Sequence, residues 1–153
     1  MKPRAESFPG GANYLALFEN IETGVTLISP DFRIRMANLA QGAFFRTDPR
    51  KLIGRLCHET FKDRSRTCPR CPGVKVMATG QPCEAFTEWI RGDGSRFPVH
   101  IKAFPVRDAS GTVTHYMSTH RDISERRRAE EAVRRSEADL RALVDRAVFG
   151  IYR

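Results

Sequence analysis

The stretch GDGSRFPVHIKAFPVRDASGTVTHY, residues 92–116, decides the fold. Gly92-Asp93-Gly94 and Asp108-Ala109-Ser110-Gly111 are turn clusters, because glycine reaches left-handed backbone angles at no steric cost and Asp and Ser side chains bond back to nearby amides. Between the turns, Arg96 to Phe104 alternates through Phe97, Val99 and Ile101, and beyond them Val113 to Arg121 alternates through His115 and Met117. A period of two predicts half-buried strands. Upstream, Glu84 to Ile90 carries Phe86 and Trp89 and predicts another. Three strands joined by short turns make an antiparallel meander.

Working outward to the N-terminus, Leu15, Leu17, Phe18 and Ile21 give Tyr14 to Ile21 one apolar helical face, which Gly24 stops. Val25, Leu27 and Ile28 predict a strand, Ser29-Pro30-Asp31 a tight turn, and Phe32, Ile34 and Met36 a second strand of a hairpin. Asn38 is an N-cap for a short helix holding Leu39, Ala40, Ala43 and Phe44. Asp48-Pro49 opens a further helical turn that ends near Gly54, and the Pro, Arg, Ser and Thr content of Cys57 to Pro72 predicts a long loop. Val74 to Ala78 is helical and closed by Gly80. The fold class is α+β: a five-stranded antiparallel sheet with helices on one face.

Toward the C-terminus, residues 124–147 form a long charged linker helix. Arg126, Ala129, Val133, Ser136, Leu140, Leu143 and Ala147 occupy heptad a and d positions, a thin seam suited to a short, readily rearranged coiled coil. Ala16-Leu17-Phe18-Glu19 and Gly24-Val25 recur in conservative form at Ala142-Leu143-Val144-Asp145 and Gly150-Ile151, at one constant offset. The expected organisation is therefore a flexible lead-in over 1–12, a domain over 13–123, the linker helix, and the opening of a second domain of the same kind at 148–153.

A chain of 153 residues that is 41% hydrophobic has room for one core and some extra helix. Its net charge of +8 is spread along the sequence with acidic residues interleaved. No recognition motif accompanies that charge, so nucleic acid is not an expected partner. No apolar run reaches the ~18 residues of a membrane span and no signal-peptide core is present, so the segment reads as cytoplasmic with no membrane partner. Paired carboxylates, phosphate-cradling loops and nucleophile elbows are all missing, and no enzyme activity is expected of it.

All four cysteines fall in the segment 54–83, at Cys57, Cys68, Cys71 and Cys83, with Cys68-Pro69-Arg70-Cys71 forming a C-x-x-C knuckle. The cytosol keeps thiols reduced, which favours metal or redox chemistry over structural disulfides. Thiolates at i and i+3 grip one ion and two distant thiolates close a tetrahedral shell, so the four are candidate metal ligands. Zinc and an iron-sulfur cluster both fit, since ligand type alone does not separate them. The alternatives are no cofactor, with Cys68 and Cys71 as a thiol–disulfide pair, or plain burial. Local Arg and Lys would offset the thiolate charge and hold the thiol pKa values low. His58, beside Cys57, could replace one ligand but reads as an exposed loop residue, and His100, His115 and His120 read as structural, with His115 placed where it could face a pocket. Trp89, Phe97, Phe104, Tyr116 and Met117 read as core that could also line a ligand pocket.

LFENIETGVTLISPDFRIRMAN at the start, the 92–116 hairpin, and HRDISERRRAEE at the exit resemble a bacterial PAS domain with its C-terminal PAC motif. Asp122-Ile123-Ser124 is similar to the Asp-Ile-Thr turn from which PAS domains launch an output helix. The resemblance spans about Tyr14 to Glu131 and departs from the family at the four-cysteine insertion. It implies a sensory module, first of a tandem array, that relays a redox, metal or small-ligand signal through its C-terminal helix to an output domain. That output would be a sensor histidine kinase or a cyclic-dinucleotide enzyme. It implies a homodimer through the N-terminal and C-terminal helices. Some relatives hold an iron-sulfur cluster on four cysteines at other spacings. The competing reading is a dimerisation module with a structural zinc and no sensing role.

Overall fold

The computed structural model describes the backbone of residues 12–150 and the side chains of residues 14–147. The lead-in expected over 1–12 falls outside these except for Ala12, and of the second-domain opening expected at 148–153 the backbone of 148–150 continues the last helix while 151–153 fall outside. The elements are α1 (Ala12–Glu19), β1 (Gly24–Ile28), β2 (Ile34–Ala37), α2 (Leu39–Phe44), α3 (Cys57–Lys62), α4 (Pro72–Thr79), β3 (Cys83–Ile90), β4 (Arg96–Arg107), β5 (Val113–Asp122) and α5 (Ser124–Gly150). A 3-10 turn at Pro49–Leu52 separates α2 from α3. The sheet has the order β2-β1-β5-β4-β3, every pair antiparallel. This is the predicted five-stranded α+β architecture, with α2, α3 and α4 packed on one face.

Two local expectations change. Phe32 is not part of a strand: it stands at φ +63 in the turn, where its amide donates to Ser29 O, and its ring packs into the core. Residues 57–62 are helix rather than loop. The loop-forming Arg64, Ser65, Arg66, Thr67, Pro69 and Arg70 all follow that helix, whereas Cys57 and Phe61, one turn apart, supply it with a buried face. Asp63 closes α3 in the left-handed conformation, Pro72 starts α4, and Gly80 ends it at φ +64.

The core lies between sheet and helices. Phe61 stacks between Phe45 and Trp89, at ring-centroid distances of 5.2 and 4.6 Å. Such pairs add about 0.5–1.5 kcal/mol beyond the area they bury.

Asn38 joins the N-terminal elements. Its Oδ1 accepts from Val25 N at 2.8 Å and from Gln41 N at 3.1 Å, so it caps α2 and holds β1 together. Its Nδ2 faces the carbonyls of Phe18, Ile21 and Thr23 at 3.0–3.2 Å, which ties down the link from α1. The side chain is fully buried, so its loss strands several backbone groups away from water. Asn38→Ala is expected to destabilise the chain by about 3 kcal/mol. Urea unfolding of the two proteins measures this, and a difference under about 0.5 kcal/mol would contradict the role.

Candidate functional site

Alternation on the central strand β5 places Tyr116, Ser118 and His120 on the helix-facing side, each 2–3% exposed. Ser118 Oγ shares a hydrogen bond of 3.0 Å with Thr26 Oγ1, and His120 Nδ1 lies 2.9 Å from Gln41 Oε1. These three residues floor a half-open cavity of about 750 Å³ whose walls come from α3, α4, β3 and the link between the helices.

All four cysteines line that cavity and all are free thiols. Each arrives on a different element: Cys57 opens α3, Cys68 lies in the link, Cys71 is the N-cap of α4, and Cys83 begins β3 on its inward face. Pro69 and Arg70 form the turn between Cys68 and Cys71, with Arg70 at φ +54. Gly73 lets the start of α4 rest directly on Tyr116. A Cβ there would fall on the phenol ring and 2.6 Å from its hydroxyl. The hydroxyl reaches Cys57 Sγ at 3.8 Å, and Cys83 Sγ turns back toward Glu84 O at 3.7 Å.

Burial dominates the electrostatics. It pushes the Cys57 thiol up to about 12, against a weaker opposing hydrogen bond from Tyr116, while the nearby Cys71 and Cys68 add to the rise. Cys68 is raised as well, because burial outweighs the neighbouring Lys62. The expected depression of the thiol pKa values by local Arg and Lys is therefore overturned at these two positions. Tyr116 is raised by burial first and then by the adjacent thiols. His120 is lowered to about 3 by burial alone, so it is neutral.

By type, the donors suit a thiophilic ion. Among the described residues, no three His, Cys, Asp or Glu side chains stand as a ready-made metal shell. Cys57, Cys68 and Cys71 gather on the helical side around Tyr116, and Cys83 faces them from the edge strand.

The floor strand leads out of the domain. Asp122, the last residue of β5, accepts from the Ser124 amide at 2.8 Å through Oδ1 and pairs with Arg91 at 2.7 Å through Oδ2. The Arg91 guanidinium also lies over the Phe97 ring, 3.8 Å from its centroid. From Glu125 to Ala147 every residue of α5 is exposed.

Compared with known proteins, residues 18–128 match the family described as the PAS fold. The chain belongs to the PAS fold family. Among solved structures it is similar to an RNA-binding light-oxygen-voltage receptor, with a TM-score of 0.71 and 20% identity over 93% of this chain and 41% of that one. It thus spans about two fifths of the receptor's length. A PAS domain from Colwellia psychrerythraea gives 0.65 and 10% identity over 74% of this chain and 97% of that one. The PAS domain of nitrogen regulation protein NR(II) from Vibrio parahaemolyticus gives 0.61 and 14% over 72% and 97%. No curated protein matches the chain.

Within this PAS domain, Trp89 and Tyr116 line the cavity and Phe97 is core. Phe104 and Met117 pair with each other on the opposite sheet face, as their parity on β4 and β5 requires. His115 shares that outer face, so the pocket histidine is His120; the strand is apolar and polar on both sides, and parity alone gave no choice between them. His58, expected exposed, is 7% exposed because residues 57–62 are helical, and its ring packs edge-on against Phe32. Ser118, in the floor, and Gln41, which meets His120 from outside the cavity lining, are not among the residues expected from the sequence. The helix-capping Asn38 three residues before Gln41 was the available signal.

The neutral His120 makes a pH test. Below its ordinary value of 6.5 the unfolded chain takes up a proton on this imidazole and the folded chain does not, so stability falls as pH drops from 6.5 toward 3. At pH 5 this group is expected to cost about 2 kcal/mol relative to pH 7. His120→Gln should remove that part of the acid limb in urea-unfolding curves, and an unchanged limb would show that His120 is not held neutral.

Proposed function

We propose that this chain is the sensory PAS domain of a bacterial, cytoplasmic signalling protein, first of a tandem array. In this reading the redox, metal or ligand state of the cysteine cavity is passed through β5 to α5 and on to an output domain. One observation carries it: four thiols from four elements converge over the strand whose last residue, Asp122, holds the first amide of α5. Strand and helix are thereby one mechanical unit, and Arg91, just past the end of β3, clamps the joint. Beyond that joint, the thin apolar seam of α5 can be biased by a modest free-energy difference between two packings.

The exposed apolar residues on α5, Val133, Leu140, Leu143 and Val144, and on α1, Tyr14, Leu15 and Leu17, support a homodimer through both helices. PAS domains of similar fold come from a two-component sensor histidine kinase and from the nitrogen regulation protein, which supports a kinase or comparable enzyme as output. The domain itself carries the signal and performs no catalysis.

Hydrogen exchange read by mass spectrometry tests the relay. The reduced chain is compared with the same chain after diamide oxidation and after zinc addition. Either treatment should change the protection of Ser124 to Arg134 at least about threefold, and Arg91→Ala should uncouple α5 from the cavity. Exchange that changes only within residues 57–83 would refute sensing and favour a dimerisation module in which metal merely staples the link.

A further inference from the structure

We infer that Cys57, Cys68 and Cys71, with His58 as fourth donor, form one thiophilic metal site, and that Cys83 is not a ligand. The inference deepens the sensory reading by naming the ligand set of the same cavity, but it stands or falls on metal binding alone.

The three thiols lie together on the helical wall. Cys57 Sγ reaches the Tyr116 hydroxyl at 3.8 Å. Gly73 holds the first turn of α4 against that same ring, which brings the N-cap Cys71 to it. The Pro69–Arg70 turn then returns the chain to Cys68. Cys83 sits on the facing edge strand, its backbone paired with Ala103 and its thiol directed to its own neighbour, Glu84.

A second observation points to an occupant. His58 lines the cavity next to Cys57, is 7% exposed, and its Nδ1 has no hydrogen-bond partner. A buried imidazole nitrogen without a partner is costly, and coordination is one of the few ways to satisfy it. Three cysteines and one histidine, including a C-x-x-C pair, are an established tetrahedral zinc shell.

The shell closes on binding. Among the described residues, no hydrogen bond or ion pair ties the segment Ser65–Arg70 to another element of the fold, so the link can carry Cys68 inward. Arg70, held in the left-handed region, adds a strained point that can relax as the turn moves. Each thiol that binds gives its proton to water. A divalent ion on three thiolates and a neutral imidazole therefore leaves one net negative charge. Lys62, Arg70 and Lys75 on the cavity wall meet that charge, with only Glu84 opposing them.

Cobalt and zinc serve as probes on the reduced chain under nitrogen. One Co²⁺ per chain should bind with a thiolate charge-transfer band and strong tetrahedral visible bands, and Zn²⁺ should displace it. With Zn²⁺ bound, a thiol reagent should find one reactive thiol, and Cys83→Ser should bind zinc as the parent does. Cys57→Ser, Cys68→Ser and Cys71→Ser should each weaken binding at least about 100-fold, and His58→Ala at least about tenfold. The inference is overturned if cobalt gives no thiolate band, if Cys83→Ser loses affinity as the other three do, if all four thiols are protected, or if His58→Ala binds unchanged. Exchange in α5 plays no part in these readouts. A metal site with a silent α5 would refute the sensory relay alone, and a responsive α5 without this site would refute the ligand set alone.

Discussion

The structure depends on the double pairing of β5. Its backbone is bonded along Gly24–Ile28 of β1 on one side and along Val99–Arg107 of β4 on the other. A strand held on both edges cannot slip by one residue without turning its whole inner face outward. That constraint places Tyr116, Ser118 and His120 in one row beneath the helices. It also makes Asp122 a fixed endpoint, so the cavity floor and the exit joint are consecutive parts of one rigid ribbon.

The polar groups over this strand divide into two kinds. Toward β1 they are largely matched: Ser118 with Thr26, His120 with Gln41 Oε1, and Asn38 with five backbone groups of the N-terminal half, with Gln41 Nε2 the exception. Toward α3 and α4 they are not. Tyr116 has only a long contact with a thiol, and one nitrogen of His58 has no partner. Matched polar groups stiffen a core, while unmatched ones mark where binding can gain most. The domain thus has a set half around β1 and α2, and a half with spare bonding capacity around α3 and α4.

The sheet was legible because its signals are local. The glycine-rich turns at 92–94 and 108–111 and the alternation of Phe97, Val99 and Ile101 act over a few residues and report directly on backbone angles. The Asn38 cap was legible for the same reason. Helix α3 was obscured because its six residues adjoin a loop rich in Arg and Pro, and composition averaged across that boundary hid it. The facing of His115 and His120 was opaque since it rests on which side of β5 the helices cover, a tertiary fact. The cysteine cluster was visible as spacing. Its division into three neighbours and one residue across the cavity depends on Gly73 seating α4 on Tyr116, a contact between residues far apart in sequence. The lowering of thiol pKa expected from nearby cations gave way to desolvation, which follows depth and not sequence proximity.

The bare surface of α5 has a geometric consequence. Its 27 residues make a rod roughly 40 Å long, pivoting at Asp122. A tilt of about 5° at that pivot carries the far end through roughly 3.5 Å, more than half the pitch of a helical turn. The domain is thereby a lever with a very short inner arm. Displacements of a few tenths of an ångström beside the cavity, too small to disturb the packing around Trp89, are enlarged by arm length alone into shifts of a size that changes which side chains face each other at its tip.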